Sequence, residues 1–287
     1  MMKIIESPRE GMQGFSRIIA TGEKVRYIAQ LLRAGFDTVE IGSIVSPKAL
    51  PQMADSLDVL DKLDLTGISS NLMFLAATAR GAEKLAESGK ITHISYPFSF
   101  SPAFLKMNLN TTLPQSMETA EYIINRCHKS GQLPVIYISM AFGNPYGDPW
   151  NMEMLTEWVG RLHQAGANII PLSNVSMEID ASMISMVYST LVPLFPDVEF
   201  GLHLHTQNNG WHEKVQAAYD AGCRRFDGVI NGHGGCPMSG KEMLGNLKTE
   251  NLLEFAEDRQ IPLNIDNAAF SNALKAAGEL FAEKEFV

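Results

Sequence analysis

The stretch GEKVRYIAQLLRAGFDTVEIG, residues 22–42, decides the fold. Within it Val25, Ile28, Ala29, Leu32 and Gly35 recur at helical spacing, which sets them on one face of a helix. Gly35 falls where a helix stops, and TVEIG at 38–42 then reads as a β-branched strand. The same phrase repeats along the chain. Apolar runs at 3–7 (KIIES), 38–42, 67–74 (GISSNLMF), 91–98 (ITHISYPF), 134–142 (PVIYISMAF), 168–173 (NIIPLS), 199–205 (EFGLHLH) and 225–230 (RFDGVI) are each followed by helical spacing, as in TAEYIINRCHKSG and WHEKVQAAYDAG.

Eight strand-then-helix units in 287 residues predict a parallel sheet, because parallel neighbours need a crossover connection. No G-x-G-x-x-G follows the first run, so a closed (β/α)8 TIM barrel is favoured and an open doubly wound sheet is the alternative. No linker rich in Pro, Gly or Ser divides the chain. The expectation is one domain over 1–287, with a barrel over about 3–260 and a further C-terminal helix over 266–286.

At 45% hydrophobic residues the chain can bury a sizeable core. Lys plus Arg number 23 against 32 Asp plus Glu, and the net charge of −9 with no basic run argues against a nucleic-acid partner. Cys127, Cys223 and Cys236 are odd in number and scattered, which argues for a reducing compartment rather than a disulfide framework. Cys127 and Cys223 lie on helical patterns and read as core. The N-terminal MMKIIESPRE lacks the look of a signal or transit peptide, EKEFV carries no lipid or peroxisomal address, and no apolar run approaches the roughly 18 residues of a membrane span. These features predict a soluble, cytoplasmic protein that does not enter membranes.

A barrel places its chemistry at the C-terminal ends of the strands. Arg9, Glu10 and Gln13 follow the first run, Glu40, Ser43, Ser46 and Lys48 belong to the second, and Cys236 and Asn246 follow the eighth. His203 and His205, two apart on the seventh, point the same way. Paired imidazoles suit a divalent cation, with Glu10 and Asn246 as oxygen donors; the alternative is that they only hydrogen-bond carbonyls. The Arg9 fork suits a carboxylate, a thioester oxygen or a developing enolate, or else a structural ion pair with Glu6, Glu10 or Glu40. Cys236 lies in a Gly-rich loop, where its thiol either meets substrate on closure or is an ordinary loop residue.

Together SPREGMQG (7–14), VEIGSIVSPKALPQM (39–53), YISMAFGNPYGDP (137–149), GLHLH (201–205) and GHGGCPMSGKEMLGNLKTENLL (232–253) resemble the 3-hydroxy-3-methylglutaryl-CoA lyases, a family within the metal-dependent (β/α)8 lyases and Claisen-condensing enzymes. The likeness runs in order over residues 3–256. VSPK-x-x-PQM and GGCP with GN-x-x-TE are specific to the lyase branch, whereas H-x-H marks only the wider group. The absence of a long C-terminal regulatory region disfavours the isopropylmalate and homocitrate synthases. The resemblance implies cleavage of 3-hydroxy-3-methylglutaryl-CoA to acetoacetate and acetyl-CoA with Mg²⁺ or Mn²⁺, an acyl-CoA partner and a homodimer. It makes His203, His205 and Asn246 metal ligands, with Glu10 at the place of the family's ligand aspartate. It makes Arg9 the stabiliser of the enolate, Cys236 a loop thiol that moves a proton, and Glu40 an acid that orders the metal shell. Gln13, Ser43, Lys48 and Asn108 are candidate substrate or CoA contacts.

The chain also departs from the family. Arg-Asp-Gly-Leu-Gln becomes Arg9-Glu10-Gly11-Met12-Gln13, and Gly-Asp-Thr-x-Gly becomes Ser173-Asn174-Val175-Ser176-Met177. TQNNG at 206–210 replaces an Asp-Thr pair, and the segment from Cys236 to Asn246 is one residue longer. Loss of the strand-six acid predicts a missing orienting partner for His203. The departures bear on substrate more than on fold. They leave as alternatives a related lyase, aldolase or Claisen-type enzyme acting on another 3-hydroxyacyl-CoA or a 2-oxo acid, and a catalytically lapsed barrel that binds acyl-CoA.

Overall fold

The computed structural model describes residues 1–175, 177–206, 210–235 and 244–282. Its strands are β1 (Lys3–Glu6), β2 (Thr38–Ile44), β3 (Asn71–Ala76), β4 (His93–Phe98), β5 (Leu133–Ser139), β6 (Ile169–Ser173), β7 (Glu199–His203) and β8 (Arg225–Gly228). All pair in parallel in chain order, and β8 pairs back onto β1 to close the barrel. The helices are α1 (Pro8–Gln13), α2 (Thr21–Arg33), α3 (Ser56–Lys62), α4 (Ala79–Glu87), α5 (Pro102–Phe104), α6 (Leu113–Ser130), α7 (Met152–Gln164), α8 (Ala181–Leu194), α9 (Trp211–Asp220), α10 (Thr249–Asp258) and α11 (Asn267–Leu280). The (β/α)8 barrel and the extra C-terminal helix are therefore both present. Among the described residues no helix is long and apolar enough to cross a membrane.

Alternation along each strand divides the chain between two cores. Ile5, Met73, Val135 and Tyr137 fill the barrel interior. Ile4, Val39, Phe74, Ile136, Leu172 and Leu202 face the helices in the larger outer core. One break in this alternation matters for the site. The pairing of β2 with β3 shifts between Glu40 and Gly42, a bulge that leaves both Ile41 and Gly42 outside and turns Ser43 inward again. Gly42 has no room for a side chain: a Cβ there would stand 2.7 Å from Phe74 Cε1 and 2.8 Å from Ser56 Cβ.

Four details differ from the sequence reading. The buried face of α2 is Lys24, Tyr27, Ile28, Leu31 and Leu32, with Val25 and Ala29 only half-buried. The stripe is turned because α11 packs along α2 and covers a flank that would otherwise meet water. β3 begins at Asn71 rather than 67, since Gly67 takes φ +72° in the turn before it. Cys223 sits in the turn between α9 and β8 rather than on a helix, yet it and Cys127 are buried and free, and burial pushes both thiols up to about 12. The last helix ends at Leu280, and 283–287 lie outside the described residues.

Candidate active site at the C-terminal mouth of the barrel

Register brings Ser139, Ser173, His203 and Asp227 into one row across β5 to β8. Because neighbours in a parallel row share a face, all four point into the mouth. Glu6 has the opposite parity. Its carboxylate accepts from Ile230 N at 3.1 Å and from the Thr249 hydroxyl, in the layer between barrel and helices. Arg9 therefore cannot pair with it.

Pro8 opens α1 directly after β1, and that short helix carries Arg9, Glu10 and Gln13 over the mouth. Arg9 donates from Nε (2.9 Å) and Nη2 (2.7 Å) to Glu40 Oε2, from Nη2 to Glu10 Oε1 (2.6 Å) and from Nη1 to Gln13 Oε1 (2.8 Å). Gln13 Nε2 closes the ring by donating to Glu10 Oε2. Burial pushes the Glu10 carboxyl up, but Arg9 and the two histidines outweigh it and hold Glu10 below the usual carboxylate range. Glu40 goes the other way: burial, with the Glu10 charge added, outweighs Arg9 and raises it. Two carboxylates on one guanidinium thus differ in their affinity for a proton.

The histidines differ in the same manner. His203 Nδ1 lies 2.9 Å from Asp227 Oδ2, which also accepts from the Tyr137 hydroxyl at 2.7 Å. Burial lowers the His203 imidazole, but the Asp227 hydrogen bond and charge prevail and raise it. For His205, burial and the neighbouring His203 push the imidazole down to about 3, so it is neutral. The rings stand 4.9 Å apart, centroid to centroid. His205 Nδ1 is buried with no hydrogen-bond partner among the described residues. His205 lies beyond the end of β7, held by an isolated antiparallel bridge to Asn246. Asn246 Nδ2 donates to His233 O at 2.7 Å, so its carbonyl oxygen is the end it can offer. Gly234, at φ +74°, rests on the Glu10 backbone, where a Cβ would collide with the carbonyl oxygen.

The expected loss of an orienting group for His203 does not occur, because Asp227 on β8 supplies one. Asn174 instead serves the other histidine: its Oδ1 accepts from His205 N at 2.8 Å, and its Nδ2 donates to His205 O at 2.7 Å and to Met177 O.

These groups open on a cavity of about 650 Å³, whose polar floor includes Arg9, Glu10, Glu40, Ser43, His203 and His205. Gln13 and Asn108 also line it. Lys48 does not: it is exposed in the turn after β2, while Ser46 and Ala49 beside it face the cavity. Lys48 is the middle residue of the exposed turn at 47–49, where its ammonium keeps its water. Asn246 is paired with His205 through the isolated bridge and is not among the residues of the cavity wall. Cys236 lies outside the described residues, as does Gln207.

No three His, Cys, Asp or Glu side chains among the described residues stand as a ready coordinating cluster, since Glu10 is turned to Arg9 and Gln13. The donor chemistry nonetheless fits a divalent cation. A neutral imidazole with an orphaned buried nitrogen, a second imidazole fixed from behind by a carboxylate and an ionised Glu10 face one cavity.

Tyr137, Ser139, Ser173 and Asp227 belong to the site and escaped the sequence reading. Their signal was parity: Ser139 ends its strand, so Tyr137 two residues earlier shares its inward face, and a lone acid in RFDG needs a partner inside the barrel.

Residues 2–276 match the model of the HMGL-like family, and the chain belongs to that family. It is 28% identical over 274 residues to the (R)-citramalyl-CoA lyase of Chloroflexus aurantiacus, covering 92% of this chain and 85% of that one. It is also 28% identical over 269 residues to hydroxymethylglutaryl-CoA lyase YngG of Bacillus subtilis, covering 93% and 89%. The crystal structure of the Bacillus subtilis HMG-CoA lyase superposes with a TM-score of 0.91 at 26% identity, over 98% of this chain and 94% of that one. An HMG-CoA lyase from Acinetobacter baumannii in complex with coenzyme A and 3-methylmalate gives 0.89 at 26% identity, over 98% and 92%. The protein is accordingly a lyase-family enzyme.

Proposed function

We propose that the protein is a divalent-metal-dependent carbon–carbon lyase that cleaves 3-hydroxy-3-methylglutaryl-CoA, or a 3-hydroxyacyl-CoA closely like it, to acetyl-CoA and a keto acid. The observation that carries this reading is the meeting of two inequivalent imidazoles with the Arg9–Glu10–Glu40 cluster on one cavity. Relatives named for HMG-CoA and for (R)-citramalyl-CoA support the thioester class and leave the acyl group to experiment.

Mg²⁺ or Mn²⁺, held by Glu10, His203, His205 and Asn246, supplies Lewis-acid polarisation of the substrate oxygens when bound. The rest falls to side chains. Glu40, raised by burial, is the group we assign to take the proton of the 3-hydroxyl, while His203, with Nδ1 against Asp227, keeps its other ring nitrogen for the metal. As that proton leaves, the C2–C3 bond breaks, the C3 oxygen becomes a ketone, and the electron pair passes into the thioester as an enolate. Arg9, a permanent cation with a second Nη1 hydrogen still to offer, stabilises the negative oxygen. Cys236 then returns a proton to C2. Ser43, Gln13 and Asn108 contact the thioester arm. Lys48, exposed at the rim, is withdrawn from the acyl site.

The test is product analysis with a panel of thioesters. Acetyl-CoA and acetoacetate from 3-hydroxy-3-methylglutaryl-CoA support the reading, and acetyl-CoA with pyruvate from citramalyl-CoA moves the substrate within the same class. Condensation of acetyl-CoA with a 2-oxo acid, without cleavage of either thioester, overturns it. The homodimer implied by the resemblance is checked by sedimentation.

A further inference from the structure

Asn174 is 1% exposed and His205 2%, and between them run two hydrogen bonds that engage both backbone groups of His205, its N–H and its C=O. The side-chain oxygen takes the His205 N–H at 2.8 Å, while the side-chain nitrogen gives to the His205 carbonyl at 2.7 Å and to Met177 O. This pairing needs one acceptor and two donors on the same planar group, which an amide has and a carboxylate lacks. A second tie acts one residue further on. Buried Lys214 of α9 binds Glu178 in the loop after β6 and donates to Thr206 Oγ1 at 2.9 Å. Thr206 N in turn donates to Gly245 O at 3.0 Å, and Leu247 N to Leu204 O at 3.0 Å. The backbone around His205 is thus gripped from β6, from α9 and from the segment that carries Asn246, although β7 itself has ended.

We infer that Asn174 is a positioning residue for His205, and that this chain's site requires its amide where the family pattern has an acid. The inference rests on the functional reading only in taking His205 to be a metal ligand. An aspartate here would turn a buried carboxylate toward the carbonyl oxygens of His205 and Met177, with both donors lost. His205 would then be pushed out of its bridge to Asn246. Asn174→Asp, which restores the family's residue, should for that reason damage the site rather than improve it.

The test measures Mn²⁺ affinity by electron paramagnetic resonance, and hydrogen exchange of the His205 amide in metal-free protein, for the parent and for Asn174→Asp and Asn174→Ala. The expected result is weaker Mn²⁺ binding by roughly ten- to a hundredfold in both variants, the scale seen when groups behind metal ligands are removed. Faster exchange at His205 should accompany it, with exchange in β1 to β5 unchanged. Affinity in folded Asn174→Asp equal to or tighter than in the parent overturns the inference, as does unchanged His205 exchange. Weakening that comes with faster exchange throughout the barrel overturns it too, because it marks general loosening. A parent that takes up no Mn²⁺ defeats the functional reading, while the exchange result still decides whether Asn174 holds His205.

Discussion

A buried imidazole with no partner is neutral, and one that faces a carboxylate keeps its proton longer; His205 and His203 are such a pair. Metal binding to His203 must displace that proton, so affinity should fall as pH drops through the raised His203 value and level off above it. The fall should begin at a higher pH than an ordinary histidine would give, as Mn²⁺ titrations across pH will read. Asp227→Asn removes the charge that raises His203 while leaving a group of equal size. It should move the His203 titration down by NMR and weaken metal binding by roughly ten- to a hundredfold. An unchanged His203 titration would mean that Asp227 does not set its state. H-x-H was legible in the sequence because the two histidines stand only two residues apart in the chain. Asp227 was not, since its partner is 24 residues away and only register joins them.

Strand order, helix order and barrel closure follow from alternation, and the chain displays them in its repeated phrase. What alternation alone cannot show is where it is broken. The bulge at Glu40 and Gly42 is such a break, and it decides that Ser43 rather than Gly42 lines the cavity. Gly42→Ala should destabilise the protein by about 1–3 kcal/mol, the usual cost of forcing a methyl into a packed core, and denaturant unfolding will measure it. Glu6 makes the other prediction at this scale. Burial lifts its carboxyl from 4.5 to about 8 against the pull of Thr249 and Ile230. A raised acid contributes stability below its unfolded value that is lost as pH rises through the folded one, so stability from this site fades between 4.5 and about 8. Glu6→Gln, which stays neutral, should unfold at higher denaturant than the parent at about pH 9 and at a similar concentration near pH 4. Equal midpoints at both pH values would place the Glu6 carboxyl in an ordinary state.

At the scale of the whole molecule, the barrel gathers residues from both ends of the chain, Arg9 and Glu10 near the start and Asn246 near the close, around one mouth. The family pattern in the sequence identified that mouth, because motifs at strand ends converge whenever a barrel closes. It misjudged one departure. Asn174 read as a loss until the structure showed its amide holding both the N–H and the C=O of His205, whereas Lys48, expected as a substrate or CoA contact, stands exposed in the turn after β2 and off the cavity wall. The central claim is that the two imidazoles hold a divalent cation that acts on an acyl-CoA thioester. The most direct measurement is acetyl-CoA release from 3-hydroxy-3-methylglutaryl-CoA by the purified protein with Mg²⁺, with Mn²⁺ and after chelation, alongside His205→Ala. Release that needs the metal, stops on chelation, returns when metal is restored and is lost in folded His205→Ala is the predicted result. Release that survives chelation, or full activity in His205→Ala, would contradict it.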